Sequence, residues 1–294
     1  MSINSSTTPD LSGLWVPLVT PFAGDAVDHA ALQALVRRLA PAGIAGTVVC
    51  GSTGEAAALD DSEQLAALAT VAEAAPDLPR IMGISGYHLG QTLDWVRRLG
   101  PEKLAGLLVP PPHYIRPSQQ GLIHWFSAIA DASTAPVLVY DIPYRTGATL
   151  ERDTLLALAA HPNIVAIKDC GGDADKTRAI IADGRLQLLA GEDSQIFSTV
   201  AEGGVGAIAA SGHLQTGRFV QVIRLLREGR LAEARGQWQP LLPLIELMFA
   251  EPNPAPVKAA LAIEGLMSDV LRPPMTDASE SMRIRLHAML SGLE

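Results

Sequence analysis

Little in this chain would tie it to nucleic acid, membrane or metal. Its 294 residues include no run of lysines and arginines, and the formal net charge is −9. A nucleic-acid partner or an anionic membrane surface is therefore not expected. No apolar run approaches the roughly 18 residues of a membrane span. The opening stretch MSINSSTTPDLSG has no apolar h-region, so it does not read as a signal peptide. Only two cysteines occur, Cys50 and Cys170. Without an export signal they imply reduced thiols and a cytoplasmic protein. The seven histidines are scattered, none in an HExxH pair, and no cysteine spacing suits zinc, so no metal is expected. No GxGxxG follows the first apolar segment, and the GSTGE loop lacks the GK[ST] of a phosphate-binding loop. Acidity does not exclude anionic substrates, because one placed arginine can hold a carboxylate.

What the chain does have is alternation. LWVPLVTPF (14–22), GTVVCGST, RIMGIS, GLLVPP, PVLVYDIP, IVAIKDC, LQLLAGED and GAIAAS read as strands, and a helix-length segment follows each. Leu32, Leu35, Val36 and Leu39 give the first such segment one apolar side, with Ala31 beside them. Asp61 or Ser62 is available as an N-cap for the second. The strands are continuous apolar runs, the mark of parallel strands covered on both faces. Eight units in about 200 residues predict a (β/α)8 barrel, an α/β fold, with an open doubly wound sheet as the alternative. The expected division is a flexible N-terminus over 1–12, the barrel strands with seven helices over 13–212, and the eighth barrel helix with a helical appendage over 213–294.

Lys168 ends the sixth strand, and Ala166 and Ile164 are expected on its face by alternation. A strand-end lysine can simply snorkel to solvent or pair with a neighbour such as Asp169. In a barrel, however, the C-terminal strand ends carry the active site. Three other strand ends there are polar: Ser52 and Thr53 after the second, Tyr114 and Arg116 after the fourth, and Tyr140, Arg145 and Thr146 after the fifth. A lysine among hydroxyls, with no metal site, suggests a Schiff base with a carbonyl substrate. At an ordinary pKa near 10.4 only about one lysine in 2500 is neutral at pH 7, so a low-dielectric barrel mouth would favour reaction. The iminium then stabilises a carbanion or enamine next to it, as aldol chemistry requires. Tyrosine hydroxyls could move the protons. The bland readings are a plain turn at GSTGE, core roles for Tyr140 and Tyr114, loop positioning by Arg116, and packing by Cys170. His113, His124 and His213 receive no catalytic role.

GSTGE, YDIPYRTG and IVAIKDC, in order and position, resemble motifs of the dihydrodipicolinate synthase and N-acetylneuraminate lyase family of pyruvate-dependent class I aldolases. The likeness runs from about Leu14 through PAPVKAALAIEGLM and LRPPMT. It implies that Lys168 forms the imine with pyruvate and that Tyr140 shuttles protons above it. Thr53 would relay protons with Tyr140 and Tyr114. Ser52 would bind the pyruvate carboxylate, beside Gly54 and Glu55, and Gly191 and Ile208 would line the pocket. Arg145 resembles the synthase arginine that holds the carboxylate of L-aspartate 4-semialdehyde. No cofactor is implied, because the lysine supplies the electron sink. The family's usual assembly is a homotetramer of tight dimers in which Tyr114 would enter the neighbour's site.

Three departures bear on the second substrate: Asp141 for the usual asparagine, Tyr144 for a small residue, and Ile115 for an asparagine. The leading expectation is condensation of pyruvate with L-aspartate 4-semialdehyde to 4-hydroxy-tetrahydrodipicolinate. A related aldolase or dehydratase for a sugar acid or another 2-oxo acid is the second. A non-catalytic barrel that binds 2-oxo acids is the third. By position, the family's lysine-inhibition site corresponds to Asp61, Gln64, Tyr87, Gln91 and His113. A neutral Gln91 in place of a glutamate, with Tyr87 filling space, predicts insensitivity to L-lysine.

Overall fold

The apolar segments do become strands. The computed structural model describes residues 9–292. The barrel strands are β1 (Gly13–Pro17), β2 (Gly46–Val49), β3 (Arg80–Gly83), β4 (Gly106–Val109), β5 (Val137–Asp141), β6 (Ile164–Asp169), β7 (Gln187–Ala190) and β8 (Gly206–Ile208). Each pairs in parallel with its neighbours in sequence, and β8 closes on β1. Residues 1–8, most of the segment expected to be flexible, lie outside the described residues. Leu11 is fully buried, and its N–H donates to Gln187 Oε1.

Helices α1 (His29–Leu39), α2 (Asp61–Ala74), α3 (Leu89–Arg98) and α4 (Gln119–Ala132) follow the first four strands. A single turn, α5 (Pro143–Thr146), precedes α6 (Arg152–Leu158) after β5. Then come α7 (Ala174–Asp183), α8 (Ile196–Ala201) and α9 (Thr216–Arg227). The appendage is α10 (Leu231–Trp238), α11 (Leu242–Met248), α12 (Ala255–Ile263) and α13 (Glu280–Ser291). No helix among the described residues is long and apolar enough to cross a membrane.

The continuous apolar strands are explained by two cores. One lies between strands and helices, the other inside the barrel around Trp15, Val48, Ile81, Leu138 and Leu189. The Trp15 indole fills the barrel floor over Gly46, where a Cβ would come within 2.3 Å of its ring. Lys168, Tyr140 and Ile208 stand above that packed floor.

Three local expectations are corrected. The strand expected over 14–22 ends at Pro17, because Pro17 has no N–H to extend the ladder; Phe22–Ala23 and Ala26–Val27 form a separate antiparallel hairpin. The cap of α2 is Asp60, neither Asp61 nor Ser62. Its Oδ1 accepts from the Glu63 N–H, while Glu63 Oε2 accepts from the Asp60 N–H, a reciprocal capping box. Ile164 does not share the face of Lys168. The β5–β6 register skips Val165, and this irregularity sends Ile164 to the outer core.

The appendage is tied to the barrel by charge as well as packing. Lys258 on α12, fully buried, donates to Glu55 Oε1 at 2.7 Å and to the Val270 carbonyl at 2.6 Å. Glu55 sits in the β2 loop with φ of 54°, in the left-handed region. Its other oxygen accepts from the Arg272 N–H at 3.1 Å. Removing one partner of such a pair leaves an uncompensated buried charge, at a cost of about 3–5 kcal/mol. Lys258→Met is therefore expected to lower the denaturation midpoint sharply, and adding Glu55→Gln should recover part of the loss. An unchanged midpoint in Lys258→Met would show that the pair does not hold the appendage.

Candidate active site

Three lysines are buried: Lys168, Lys176 and Lys258. Two have carboxylates, since Lys176 pairs with Asp141 at 2.5 Å and Lys258 with Glu55. Lys168 has none within ion-pair distance among the described residues. Its Nζ donates to Tyr140 Oη at 3.2 Å and lies 4.3 Å from that ring's centroid. Burial pushes the Lys168 pKa down, with Arg145 adding to the shift and Cys170, Asp193 and Glu192 opposing it. Burial pushes the Tyr140 hydroxyl well above its ordinary value, so it stays protonated at neutral pH. An amine whose charged form is disfavoured by burial thus touches a protonated phenol.

The strands set this contact. Tyr140 and Lys168 are register partners on β5 and β6, and the next pair is Asp141 and Asp169. By alternation those carboxylates face outward, toward the start of α7. Lys176 takes Asp141, and the Thr177 hydroxyl donates to Asp169. Asp169 therefore pairs with α7 and not with Lys168. One helical turn holds both strand ends that carry the reacting groups. The replacement of asparagine by Asp141 is compensated by Lys176, although Asp141 Oδ1 remains without a partner.

Around Lys168 lies a slot of about 20 Å³, whose lining includes Ser52, Thr53, Tyr140, Arg145, Gly191 and Ile208. Seven of the eight residues singled out in the sequence thus meet in one place. Gly191 is required there: a Cβ would come within 2.4 Å of Cys170 Sγ and 2.9 Å of Lys168 Cγ. The slot shares Ser52, Tyr140, Arg145 and Asn253 with an adjoining cavity of about 360 Å³ that His113 and Thr146 also line. Tyr114 lines neither. It is 91% exposed, with φ of 73°. Thr53 and Tyr140 share the slot without a direct hydrogen bond, so the three-membered relay is not assembled within one chain.

Sequence reasoning missed several groups. Asn253 Nδ2 donates to Thr53 Oγ1 at 3.0 Å, which leaves the Thr53 proton free to be donated elsewhere. Asp193, buried in the slot lining, accepts from the Ser211 N–H and is pushed up to about 6 by burial. Glu192 accepts from the Tyr144 hydroxyl at 2.9 Å. The tail motif that Asn253 immediately precedes was visible, but no local pattern announces which residue of a distant loop reaches the β2 loop. Of the positions matched to the lysine-inhibition site, Asp61, Gln64, Tyr87 and Gln91 do share a cleft, while His113 lines the active-site cavity instead. Asp61 is paired there with Arg98 at 2.6 Å, and Tyr87 lines the cleft while remaining exposed.

The dihydrodipicolinate synthetase family model matches residues 10–293. A 4-hydroxy-tetrahydrodipicolinate synthase of Sorangium cellulosum is 38% identical over 290 residues, covering 97% of this chain and 96% of its own. One from Clostridium acetobutylicum is 34% identical, covering 95% of this chain and 99% of its own. Among solved structures, a dihydrodipicolinate synthase of Acinetobacter baumannii complexed with pyruvate superposes with a TM-score of 0.92 at 29% identity, over 96% of this chain and 98% of that one. With the barrel and the buried, acid-free lysine at its sixth strand end, these likenesses place the chain in the dihydrodipicolinate synthetase family.

Proposed function

We propose that the protein condenses pyruvate with L-aspartate 4-semialdehyde, through an imine on Lys168, to 4-hydroxy-tetrahydrodipicolinate. The observation that carries this reading is the buried Lys168 amine without a carboxylate, in contact with Tyr140 and with Arg145 in the same lining. The amine adds to the pyruvate ketone, and water leaves as the iminium forms. Loss of a methyl proton gives the enamine, whose carbon attacks the aldehyde. The amino group of the condensed aldehyde then adds to the iminium carbon and displaces the Lys168 amine, which closes the ring and frees the lysine, so that the one water lost at imine formation is the net water released. The iminium is the electron sink, so no separate cofactor is required. Tyr140 accepts and returns protons at the imine nitrogen and the hydroxyl oxygens. Ser52 binds the pyruvate carboxylate, with Gly191 and Ile208 shaping the slot. Arg145 takes the carboxylate of the aldehyde. The alternative, a sugar-acid aldolase, is disfavoured because Arg145 and Tyr144 occupy room a polyhydroxyl chain would need.

Trapping with borohydride tests the imine. Pyruvate should add one reduced pyruvyl group to wild type, on Lys168, and none to Lys168→Arg. Because burial lowers the Lys168 pKa, the neutral fraction at a given pH is larger than for a free lysine. The trapping rate should rise with pH and level off below the ordinary lysine range. Arg145→Ala should still trap pyruvate, yet lose about 10- to 150-fold in apparent affinity for aspartate semialdehyde, the worth of a charge-assisted contact. A label on Lys176 or Lys258 would refute the assignment.

The same proposal extends to a cytoplasmic homotetramer built from dimers. The cavity beside Tyr140 and the exposed Tyr114 are complementary: a second copy's Tyr114 entering that cavity completes the relay with Thr53 and Tyr140. Mixing Tyr114→Phe and Lys168→Arg subunits should restore activity in hybrid dimers, since each hybrid contains one intact composite site. Verified heterodimers with no recovery would place Tyr114 outside the reaction.

In the lysine-site cleft, Gln91 offers no charge to a ligand ammonium, and the Asp61 carboxylate is already engaged by Arg98. L-lysine at low-millimolar concentration is expected to leave the rate nearly unchanged; cooperative inhibition in that titration would contradict this.

A further inference from the structure

Arg145 and Glu192 are opposite charges in the lining of one small slot, and both act on the Lys168 amine. Among the described residues neither forms an ion pair, with each other or with anything else. Opposite charges this close to one centre ordinarily find each other, because a pair formed at a mouth gains Coulomb energy and hydrogen bonds. Here Tyr144 contacts both. Its hydroxyl donates to Glu192 Oε1 at 2.9 Å, and the Arg145 guanidinium carbon lies 6.0 Å from its ring centroid. The α5 turn after β5 supplies Tyr144 and Arg145, and the loop after β7 supplies Glu192.

We propose that Glu192 and Arg145, each in contact with Tyr144, form a two-pole recognition site for a zwitterionic α-amino-acid aldehyde. Arg145 takes its carboxylate and Glu192 its ammonium. This rests on the synthase reading and adds to it a residue that selects for the amino group. With one oxygen tied to Tyr144, Glu192 keeps its other oxygen for the ligand. A ligand with both a carboxylate and an ammonium satisfies both poles, whereas an acid that lacks the amine leaves Glu192 facing a carboxylate-bearing ligand without a cation. Tyr144 is a positioning residue: its hydroxyl holds Glu192 and its ring lies beside Arg145.

The test compares kcat/KM for L-aspartate 4-semialdehyde with that for succinic semialdehyde, which lacks the α-ammonium, with pyruvate saturating. In Glu192→Gln the preference for the amino aldehyde should fall about 10-fold or more, carried by KM, as expected for loss of a charge-assisted hydrogen bond. Tyr144→Phe should move the same ratio in the same direction by a smaller factor. Arg145→Ala should impair both aldehydes alike, because both carry the carboxylate. Borohydride trapping of pyruvate in each variant reports an intact Lys168. An aldehyde ratio unchanged in Glu192→Gln, with condensation still running, overturns the two-pole site and leaves the synthase reading standing. A wild type that traps pyruvate but condenses neither aldehyde overturns both.

Discussion

An amine buried without an acid is the constraint around which this barrel is arranged. Taking an ionised lysine out of water is costly, and proteins normally compensate with a carboxylate. Lys176 and Lys258 follow that rule with Asp141 and Glu55. Lys168 does not, and the difference separates structural cations from the reactive one. Lys168 has only a phenol beside it, and burial lowers its pKa and so favours the neutral form, the one that attacks a carbonyl. The same unpaired state would be a defect anywhere the chain had no use for a nucleophile.

Keeping that amine in place requires the two structural pairs. Asp141–Lys176 and Asp169–Thr177 fasten the ends of β5 and β6 to one turn of α7, just beyond the contact between Tyr140 and Lys168. Lys258–Glu55 fixes the left-handed turn in the β2 loop that carries Ser52 and Thr53, and Asn253 adds a direct bond to Thr53. The appendage is therefore part of the site's frame. Its charged and amide groups reach the strand-end loops that the barrel's own helices leave open.

The architecture was legible because its signal is local. Continuous apolar strands separated by amphipathic helices can hardly arise without two-sided burial, and strand ends in a barrel gather at one rim. Errors came where a single residue decides. Pro17 ended a strand that hydropathy alone would extend, and the skip at Val165 moved Ile164 to the other core. Within the site, Lys168, Tyr140, Ser52, Thr53, Arg145, Gly191 and Ile208 could be read because each lies in or beside a motif at a strand end. Asn253, Lys176 and Glu192 could not. Their partners are 200, 35 and 48 positions away, and polar side chains on separate elements leave no periodic trace.

The departures noted in the sequence divide along the same line. Asp141 changes the charge behind the reacting strands, but Lys176 cancels it locally, so the chemistry of Lys168 is insulated from the substitution. Tyr144 has no such cancelling partner. It lies at the mouth, exposed, beside two charges, and any change there alters what can enter without touching the amine below. A slot wall that admits no Cβ at Gly191 and a mouth built around Tyr144 answer to different constraints. The wall is held by sterics, since a Cβ at Gly191 would meet Cys170 Sγ at 2.4 Å. The mouth is held by one hydrogen bond and one ring contact, each replaceable by a single substitution. Substrate choice in this fold can therefore shift by changes at the rim, while the lysine, its phenol and the strand ends that carry them stay fixed.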